Sequence, residues 1–280
     1  MTPFSRELLA LARLELSDVL RSRWLGFSTS LYAALAGVLV FVGMRESSVL
    51  GFSGMNRVML SFAHVLLLVL PLLALTATTQ VVNRARDDGT VELLFSHPLS
   101  RTGYLVAVSM TRYAVLVVPL ILLLCAMALG AGLLFGESVP WGMLGRTLAV
   151  SAALLWAFTG LGMAVSVGAR NQARAVTWGL LLWALSVALL DLALIGLLLQ
   201  WRLDARTLFV LASINPVQAA RLALLSGIET DLGSLGPLGF YLSQRVGAAS
   251  LLALGLAWPV AVGTVSWLWA HASFRRSDLV

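Results

Sequence analysis

The side chains most able to bind a metal or transfer a proton are few and far apart in this 280-residue sequence. The three histidines, His64, His97 and His271, lie in different segments, and Cys125 is the single cysteine. No zinc-protease helix, nucleophile elbow or glycine-rich phosphate loop is present. One cysteine can form neither an internal disulfide nor a cysteine-based zinc cluster. We therefore predict no catalytic residues and no metal site, and expect that the chain is not an enzyme.

Two pairs of residues inside apolar segments are weaker candidates for a functional site. Met55 and Met59 stand one helical turn apart, with Met44 nearby, and thioethers can bind Cu(I). Methionine also fills gaps between membrane helices, and no histidine or cysteine closely flanks the pair, so packing is favoured. Asp191 and His64 lie at comparable depths and could pair, either as a polar lining or as a contact that holds two helices together. The contact between helices is favoured.

The basic residues exclude two classes of function. All 19 are arginines, whereas a P-loop needs a lysine that reaches the nucleotide phosphates. The chain is therefore not itself an ordinary ATPase. The formal net charge of +6 would also suit nucleic acid, but arginines that flank membrane spans explain it better. We expect no nucleic-acid partner.

The elements that must position these residues are predicted to be membrane helices. Hydrophobic residues make up 59% of the chain and charged residues only 11%, whereas about a quarter of the residues of soluble proteins are charged. Several apolar runs are longer than about 18 residues, the length that marks a membrane-spanning helix. We predict one all-α domain, residues 1–280, with six transmembrane helices. The predicted spans are 24–43, 58–82, 113–135, 147–168, 175–199 and 246–270.

The arginines also predict the orientation. Twelve of the 19 lie in one set of alternate loops, and seven lie in the other set, over more loop length. The positive-inside rule then places both termini in the cytoplasm. The arginine-rich segments are 1–23, 83–112, 169–174 and 271–280.

Residues 1–23 are predicted to form an amphipathic interfacial helix along the inner leaflet. Its apolar stripe at helical spacing comprises Leu8, Leu9, Ala12, Leu16, Val19 and Leu20. Its polar face comprises Arg6, Arg13, Ser17 and Arg21. A cytosolic helix packed on a partner is the alternative.

A second amphipathic helix is predicted between spans two and three, within residues 83–104. Asp87 or Asp88 can cap its start, and Pro98 stops it, after which Ser100 caps the next helix. Its apolar face, at spacings of three and four residues, comprises Val91, Leu94 and Phe95. Such a face can dock in a partner's groove. An interfacial loop without a partner is the alternative.

This segment, RARDDGTVELLFSHPLSRTGYLVAV, resembles the cytoplasmic coupling segment of ABC-2-type transporter permeases. In that family an acidic-Gly-Thr start, a Glu-Leu-Leu core and a Pro-x-Ser-Arg end recur between the second and third spans. The matching residues are Asp87, Asp88, Gly89, Thr90, Glu92, Leu93, Leu94, Pro98, Ser100 and Arg101. The stretches 15–25, 215–227 and the end FRRSDLV are similar to further parts of the family, so the resemblance covers nearly the whole chain.

Within the family, residues 15–25, 50–52 and the stretch leading to 236–241 are similar to permeases for the maturation of nitrous-oxide reductase, grouped with those for multicopper enzymes. The resemblance implies a permease homodimer without a cofactor of its own, in a bacterial inner membrane. Two copies of a separate ATPase would bind ATP and Mg²⁺ and push the coupling segments. A periplasmic partner would contact the outer face. The outer loops hold no metal-binding cluster that would make a copper role visible.

The extracytoplasmic loop, residues 200–245, is predicted to contain two short helices, within 208–211 and 217–225. Asn215 and Pro216 separate them and can cap the second. With Arg221, they would form a lid or a seat for an outer partner. A loop of purely structural value is the alternative.

Small residues recur every four positions in two spans, at Gly132 and Gly136 and at Gly160, Ala164 and Gly168. Because small residues let helices approach closely, these are predicted packing faces, and the dimer is one place for them.

Three functions are consistent with the sequence. Copper-site maturation is favoured over the export of a lipid, drug or peptide, and over a mechanical relay that transports nothing and acts on a periplasmic partner. An intramembrane enzyme is disfavoured because the spans lack paired polar residues.

Overall fold

The computed structural model describes residues 3–21, 26–35, 37, 54–97, 99–135, 141–189, 205–227 and 247–276. Over these ranges the chain is helical and has no strand, which confirms the all-α class. The helices are α1 (Pro3–Arg21), α2 (26–35), α3 (Gly54–Thr78), α4 (Val81–Asp87), α5 (Thr90–Phe95), α6 (Arg101–Phe135), α7 (Trp141–Gly168), α8 (Gln172–Ala184), α9 (Ala205–Ile214), α10 (Pro216–Leu225) and α11 (Ala248–Arg276). One π-helical turn, Leu185–Leu189, extends α8.

Four helical stretches are long and apolar enough to cross a membrane, so this is a multi-pass membrane protein. They are Phe62–Asp87, Arg101–Gly130, Trp141–Gly168 and Ala248–Arg276. They coincide with the second, third, fourth and sixth predicted spans. The first predicted span overlaps α2, and the fifth overlaps α8 and its π-helical turn, but both spans run beyond the described residues. A total of six spans therefore stays a prediction.

Two helices begin earlier than their predicted spans. α6 starts at Arg101 rather than at 113, and α7 starts at Trp141 rather than at 147. The early turns of α6 carry arginines, which lower the local hydropathy, but Tyr104 and Leu105 are buried there against neighbouring helices. At 35 residues, α6 is about 52 Å long and exceeds the about 30 Å of a bilayer's hydrocarbon core.

α7 is the central helix of the bundle, with α3, α6, α10 and α11 packed around it. Its closest approach is to α11. A β-carbon at Gly160 would overlap the carbonyl of Gly263, and one at Gly263 would lie 2.6 Å from the Trp156 carbonyl oxygen. Only glycine on both helices permits this crossing.

The other two residues of the predicted packing series, Ala164 and Gly168, lie on the same side of α7. Ala164 packs against the apolar cluster that includes the end of α11, and a β-carbon at Gly168 would lie 3.3 Å from the Trp269 ring. The predicted packing series of α7 therefore faces α11 of the same chain. Gly132 lies in α6, where only its helical backbone is described, and Gly136 lies outside the described residues.

α9 and α10 are joined at Asn215, as the predicted break at residues 215 and 216 requires, and α10 packs beside α7 and α11. The Asn215 side-chain oxygen accepts a hydrogen bond from the Val217 N–H at 3.0 Å, and Pro216 occupies the first helical position, where its missing N–H costs nothing. The Asn215 amide also donates to the Ser186 carbonyl. The predicted cap is confirmed.

α10 is more buried than a surface loop would be. Seven of its ten residues are buried, and a β-carbon at Gly255 of α11 would lie 2.6 Å from the Ala219 carbonyl oxygen. At the carboxyl end of α10, Arg146 donates to the Ala223 carbonyl at 3.2 Å and to the Ser226 hydroxyl at 2.8 Å. A cation there satisfies orphan carbonyls and favours the negative end of the helix dipole.

Candidate functional site

The candidate site is the short helix α5, at the end of the bundle that also holds α1, α4 and the last turns of α11. We call this end the base. The chain reaches α5 through a turn at Asp88 and Gly89, where Gly89 has φ of +68°. Other residues are strained in that left-handed region. The turn ends α4 and fixes where α5 starts.

The prediction that Asp87 or Asp88 caps α5 is wrong. Asp87 ends α4 and Asp88 follows as its C-cap, whereas Gly89 is the N-cap of α5 and provides no side-chain hydrogen bond. The left-handed residue Gly89 separates the two helices, so both carboxylates belong to the end of α4. Glu92, in the first turn, is the acidic residue that α5 offers to its own positive dipole end.

The inner face of α5 holds it to the bundle. Val91 is 1% exposed, and Leu94 and Phe95 are half-buried against the apolar cluster of the base. The Phe95 ring packs edge-on to Tyr104 at a centroid distance of 5.9 Å and lies 6.3 Å from Phe274 of α11. Tyr104 and Phe274 stack at 5.9 Å. These three rings join α5, α6 and α11.

The predicted apolar face of the helix, Val91, Leu94 and Phe95, is therefore occupied by its own chain and does not form a free docking surface. The opposite face is exposed, and its apolar side chain is Leu93, which is 70% exposed. The other exposed side chains around it are those of Asp87, Asp88, Thr90, Glu92, Ser96 and His97. We call this set, with Leu93, the outward face of α5. It combines one leucine with three acidic residues.

α1 is hydrogen-bonded to the segment that follows α5. Glu7 accepts hydrogen bonds from the Ser100 N–H at 2.6 Å and from its hydroxyl at 2.8 Å. Beneath it, a β-carbon at Gly103 would lie 2.7 Å from the Glu7 carboxylate, so glycine makes room for the contact. Two turns further along α1, Glu15 forms an ion pair with Arg112 at 2.6 Å. Both carboxylates thus tie α1 to α6.

The start of α6 is also fixed to the end of α11. Arg101 donates to the Phe274 carbonyl at 3.3 Å and to the Arg275 carbonyl at 2.8 Å, where the last carbonyls of α11 lack helical partners. The Thr102 hydroxyl and His271 Nε2 lie 2.9 Å apart. Ser100 caps α6 as predicted, since its hydroxyl accepts from the Gly103 N–H at 3.0 Å. Pro98 lies outside the described residues.

α4 anchors the other side of the segment. The Val82 N–H donates to the Ser166 hydroxyl, and the Asn83 amide donates to the Ser166 carbonyl, each at 2.9 Å. Gln172 of α8 donates to Gln80, just before α4, at 2.7 Å. The segment that contains α4 and α5 is thus connected to α1, α6, α7, α8 and α11.

The N-terminal helix has two apolar faces rather than one stripe. Leu11 and Val19 are buried and Leu8 and Ala12 are half-buried on the face that carries Glu7 and Glu15. Three leucines of the predicted stripe are exposed beside that face: Leu9, Leu16 and Leu20. The interfacial placement of these leucines stays a prediction.

Sequence reasoning missed Glu7, Glu15, Arg112 and Phe274 as parts of the site. One signal was available for the two carboxylates. They recur at a spacing of eight residues on the side of α1 that carries Leu8, Leu11 and Val19, and an acidic residue on an apolar face needs a partner.

Those of the remaining candidates that the structure describes lie away from the base. His64 is half-buried in α3, and Cys125 is half-buried in α6. Met55 and Met59 lie in α3, where only their helical backbone is described, and Asp191 and Met44 lie outside the described residues. The proposed contact between His64 and Asp191 stays a prediction. Arg221 of α10 is half-buried and donates to Gln218 at 3.2 Å.

One family model and two named proteins match this chain over nearly its full length. A family model described as ABC-2 family transporter protein matches residues 9–279. The "Probable ABC transporter permease protein NosY" of Stutzerimonas stutzeri is 33% identical over 272 residues, which cover 95% of this chain and 97% of that protein. The protein of the same name from Pseudomonas aeruginosa is 30% identical over 276 residues, which cover 96% of this chain and 98% of that protein.

Proposed function

The chain belongs to the ABC-2 family of transporter proteins and is a permease subunit of an ABC transporter, similar to NosY, and from this premise we propose how it works. A separate ATPase binds and hydrolyses ATP, with Mg²⁺, and docks on the outward face of α5. The chain converts that docking into conformational work across a bacterial inner membrane. The work serves copper-site maturation of nitrous-oxide reductase.

The observation that carries the proposal is the division of α5 into two faces. The inner face packs on the bundle, while the outward face leaves Leu93 and the acidic side chains exposed. An exposed leucine within a rim of charge is the arrangement of a small docking surface, where an apolar anchor supplies affinity and the charged rim supplies orientation. The ATPase groove that fits it has an apolar pocket and basic edges.

The inner face supports the conformational part of the proposal. A push on α5 acts on the Phe95 ring, which contacts both Tyr104 and Phe274. Arg101 and Thr102 link the same two helices, α6 and α11. A displacement of α5 therefore moves the ends of two long helices together, whereas a flexible loop would absorb it.

The assembly we propose is a permease homodimer with two ATPase copies, and both termini of the permease lie in the cytoplasm. The arginine distribution supports this orientation, and it places α5 on the side where ATP is available. The α9–α10 helix pair then lies on the outer side. α9 exposes Val210, Leu211 and Ile214, and these side chains, near Asn215, Pro216 and Arg221, form the proposed contact with a periplasmic partner.

The copper role rests on the family resemblance and on the similarity to NosY, not on residues that bind copper. Within the described ranges, no three His, Cys, Asp or Glu residues are grouped so that they could hold a metal ion. In this proposal copper is handled by the partner assembly, and the permease supplies movement.

A charge reversal on α5 tests the proposal against a matched charge reversal on α1. Glu92→Arg and Asp18→Arg make the same change at exposed acidic residues of the base. When the chain is co-expressed with its ATPase, we expect Glu92→Arg to abolish co-purification and Asp18→Arg to retain it. Normal co-purification and ATP turnover with Glu92→Arg would contradict docking on α5.

The copper role is measured separately in the same strains. We expect nitrous-oxide reductase from cells with Glu92→Arg to lack copper, and the enzyme from cells with Asp18→Arg to be fully loaded. Fully loaded reductase, in cells where Glu92→Arg has removed the ATPase, would refute the copper role and leave the docking intact.

A further inference from the structure

An open apolar groove of about 410 Å³ lies between α7, α8 and α11 near the base. Residues that line it include Ala164, Gly168, Trp178, Leu181, Leu185 and Trp269. Its volume falls within the range of about 300–1,000 Å³ that is usual for small-molecule sites. We propose that this groove holds an acyl chain of an anionic phospholipid of the inner leaflet, with the phosphate bound by arginines at the groove's mouth.

The α7 wall of the groove has no side chain at one position, the end of the helix. α7 ends in Gly168, and a β-carbon there would lie 3.3 Å from the Trp269 ring. Glycine at this position lets the ring lie close to α7, so the ring forms a flat wall of the groove. Trp178 forms part of the opposite wall from α8. Trp178 is 59% exposed and Trp269 is 53% exposed, as expected of tryptophans at the level of lipid headgroups.

Along the groove, the side chains of α8 change from charged to apolar. Arg174, Trp178, Leu181 and Leu185 follow one another at spacings of four, three and four residues, which places them on one helical face. The leucines and the tryptophan are exposed lining residues, and the Arg174 side chain is exposed one turn closer to the base. A phospholipid changes in the same order, from the charged phosphate through the interfacial region to the apolar acyl chain.

Two further arginines add positive charge at the same end. Arg170 directly follows the lining residue Ala169, and its side chain is exposed. Arg276 follows Trp269 by seven residues, and so lies two turns nearer the base on that face of α11. Segment 169–174 contains no acidic residue. Basic clusters beside membrane helices on the cytoplasmic side attract anionic lipids, which selects an anionic headgroup over a zwitterionic one.

The inference rests on the proposed orientation, because the groove faces the anionic cytoplasmic leaflet only if the base is cytoplasmic. It does not require the ATPase. The test therefore uses the purified full-length chain without its ATPase, in vesicles of phosphatidylglycerol and phosphatidylcholine at equal amounts. Failure of lipid binding is then distinguishable from failure of docking on α5.

The photoreactive amino acid benzoylphenylalanine replaces Leu181 in the groove or, as a control, Leu122, an exposed residue of the apolar α6. After illumination, mass spectrometry identifies the adducts. At position 181 we expect phosphatidylglycerol adducts to exceed phosphatidylcholine adducts by about five-fold or more, the factor that one arginine near the headgroup would give. At position 122 we expect a ratio near one.

Arginine variants then assign the selectivity to the groove's mouth. Arg170→Gln with Arg174→Gln removes two of the three arginines and is expected to lower the ratio at position 181 several-fold. Arg13→Gln with Arg21→Gln removes the same charge from α1, which does not line the groove, and is expected to leave the ratio unchanged. Equal ratios at positions 181 and 122 would overturn the proposal, and so would crosslinks at 181 to a second copy of the chain in place of lipid.

Discussion

Replacing Leu93 by alanine removes the apolar side chain that α5 presents away from the bundle. Leu93 is 70% exposed, so docking on the ATPase can bury most of a leucine side chain. Complete burial of a leucine is worth about 1.5–3 kcal/mol, so the exposed part is worth about 1–2 kcal/mol. We expect the affinity of each ATPase for the permease to fall by about five- to thirty-fold.

The assay is a titration of labelled ATPase against the permease in lipid nanodiscs. The thermal unfolding of the permease alone is measured in parallel, and we expect Leu93→Ala to leave it unchanged, because the side chain makes few contacts in the chain.

Val91→Ala is the matched control on the same helix. Val91 is 1% exposed, so its truncation is expected to destabilise the permease by about 1–2 kcal/mol and to affect ATPase binding only through that loss. If Leu93→Ala binds the ATPase like the unmodified chain, while Val91→Ala weakens binding without lowering stability, the assignment of the two faces is wrong.

The remaining predictions concern contacts that hold the base and the bundle together. Glu15→Gln breaks a half-buried ion pair with Arg112 at 2.6 Å and is expected to cost about 1–3 kcal/mol; Asp18→Asn, exposed on the same helix, should leave the melting temperature in detergent unchanged. Gly160→Ala places a β-carbon against the Gly263 carbonyl and should sharply reduce the yield of folded protein in gel filtration. Gly145→Ala, in open space on the same helix, should be neutral or slightly stabilising, and equal yields of the two variants would refute the close crossing. Asn215→Ala removes the cap of α10 and the bond to Ser186; we expect a loss of about 1–2 kcal/mol, and an unchanged melting temperature would show that the junction of α9 and α10 does not depend on this cap.

Local signals predicted much of this fold. Apolar runs located the four helices that are long enough to span a membrane, because a membrane helix is defined by its own length and composition. Ser100 and Asn215 were identified as caps because a cap hydrogen bond spans only two or three residues. These predictions needed no knowledge of which helices are neighbours.

Contacts distant in the sequence could not be predicted in the same way. Glu7 meets Ser100 across 93 residues and Arg101 meets Phe274 across 173 residues, and neither pairing has a local signature. The apolar face of α5 was correctly located, but its partner was not. Helical periodicity shows that a face is buried, and it does not show whether the burial is within the chain or against another protein. Phe95 is half-buried within the chain because its ring packs against Phe274, which is distant in the sequence.

The central claim is that a separate ATPase docks on the outward face of α5, and site-specific crosslinking tests it most directly. In a chain whose native cysteine is removed by Cys125→Ser, a single cysteine replaces either Leu93 or, as an exposed control on α1, Asp18, and carries a maleimide-benzophenone probe. We predict that the probe at position 93 captures the ATPase, more strongly when ATP is present, and that the probe at position 18 does not capture it. No ATPase capture at position 93, or labelling of position 93 by an impermeant thiol reagent from the periplasmic side of intact cells, would contradict the claim.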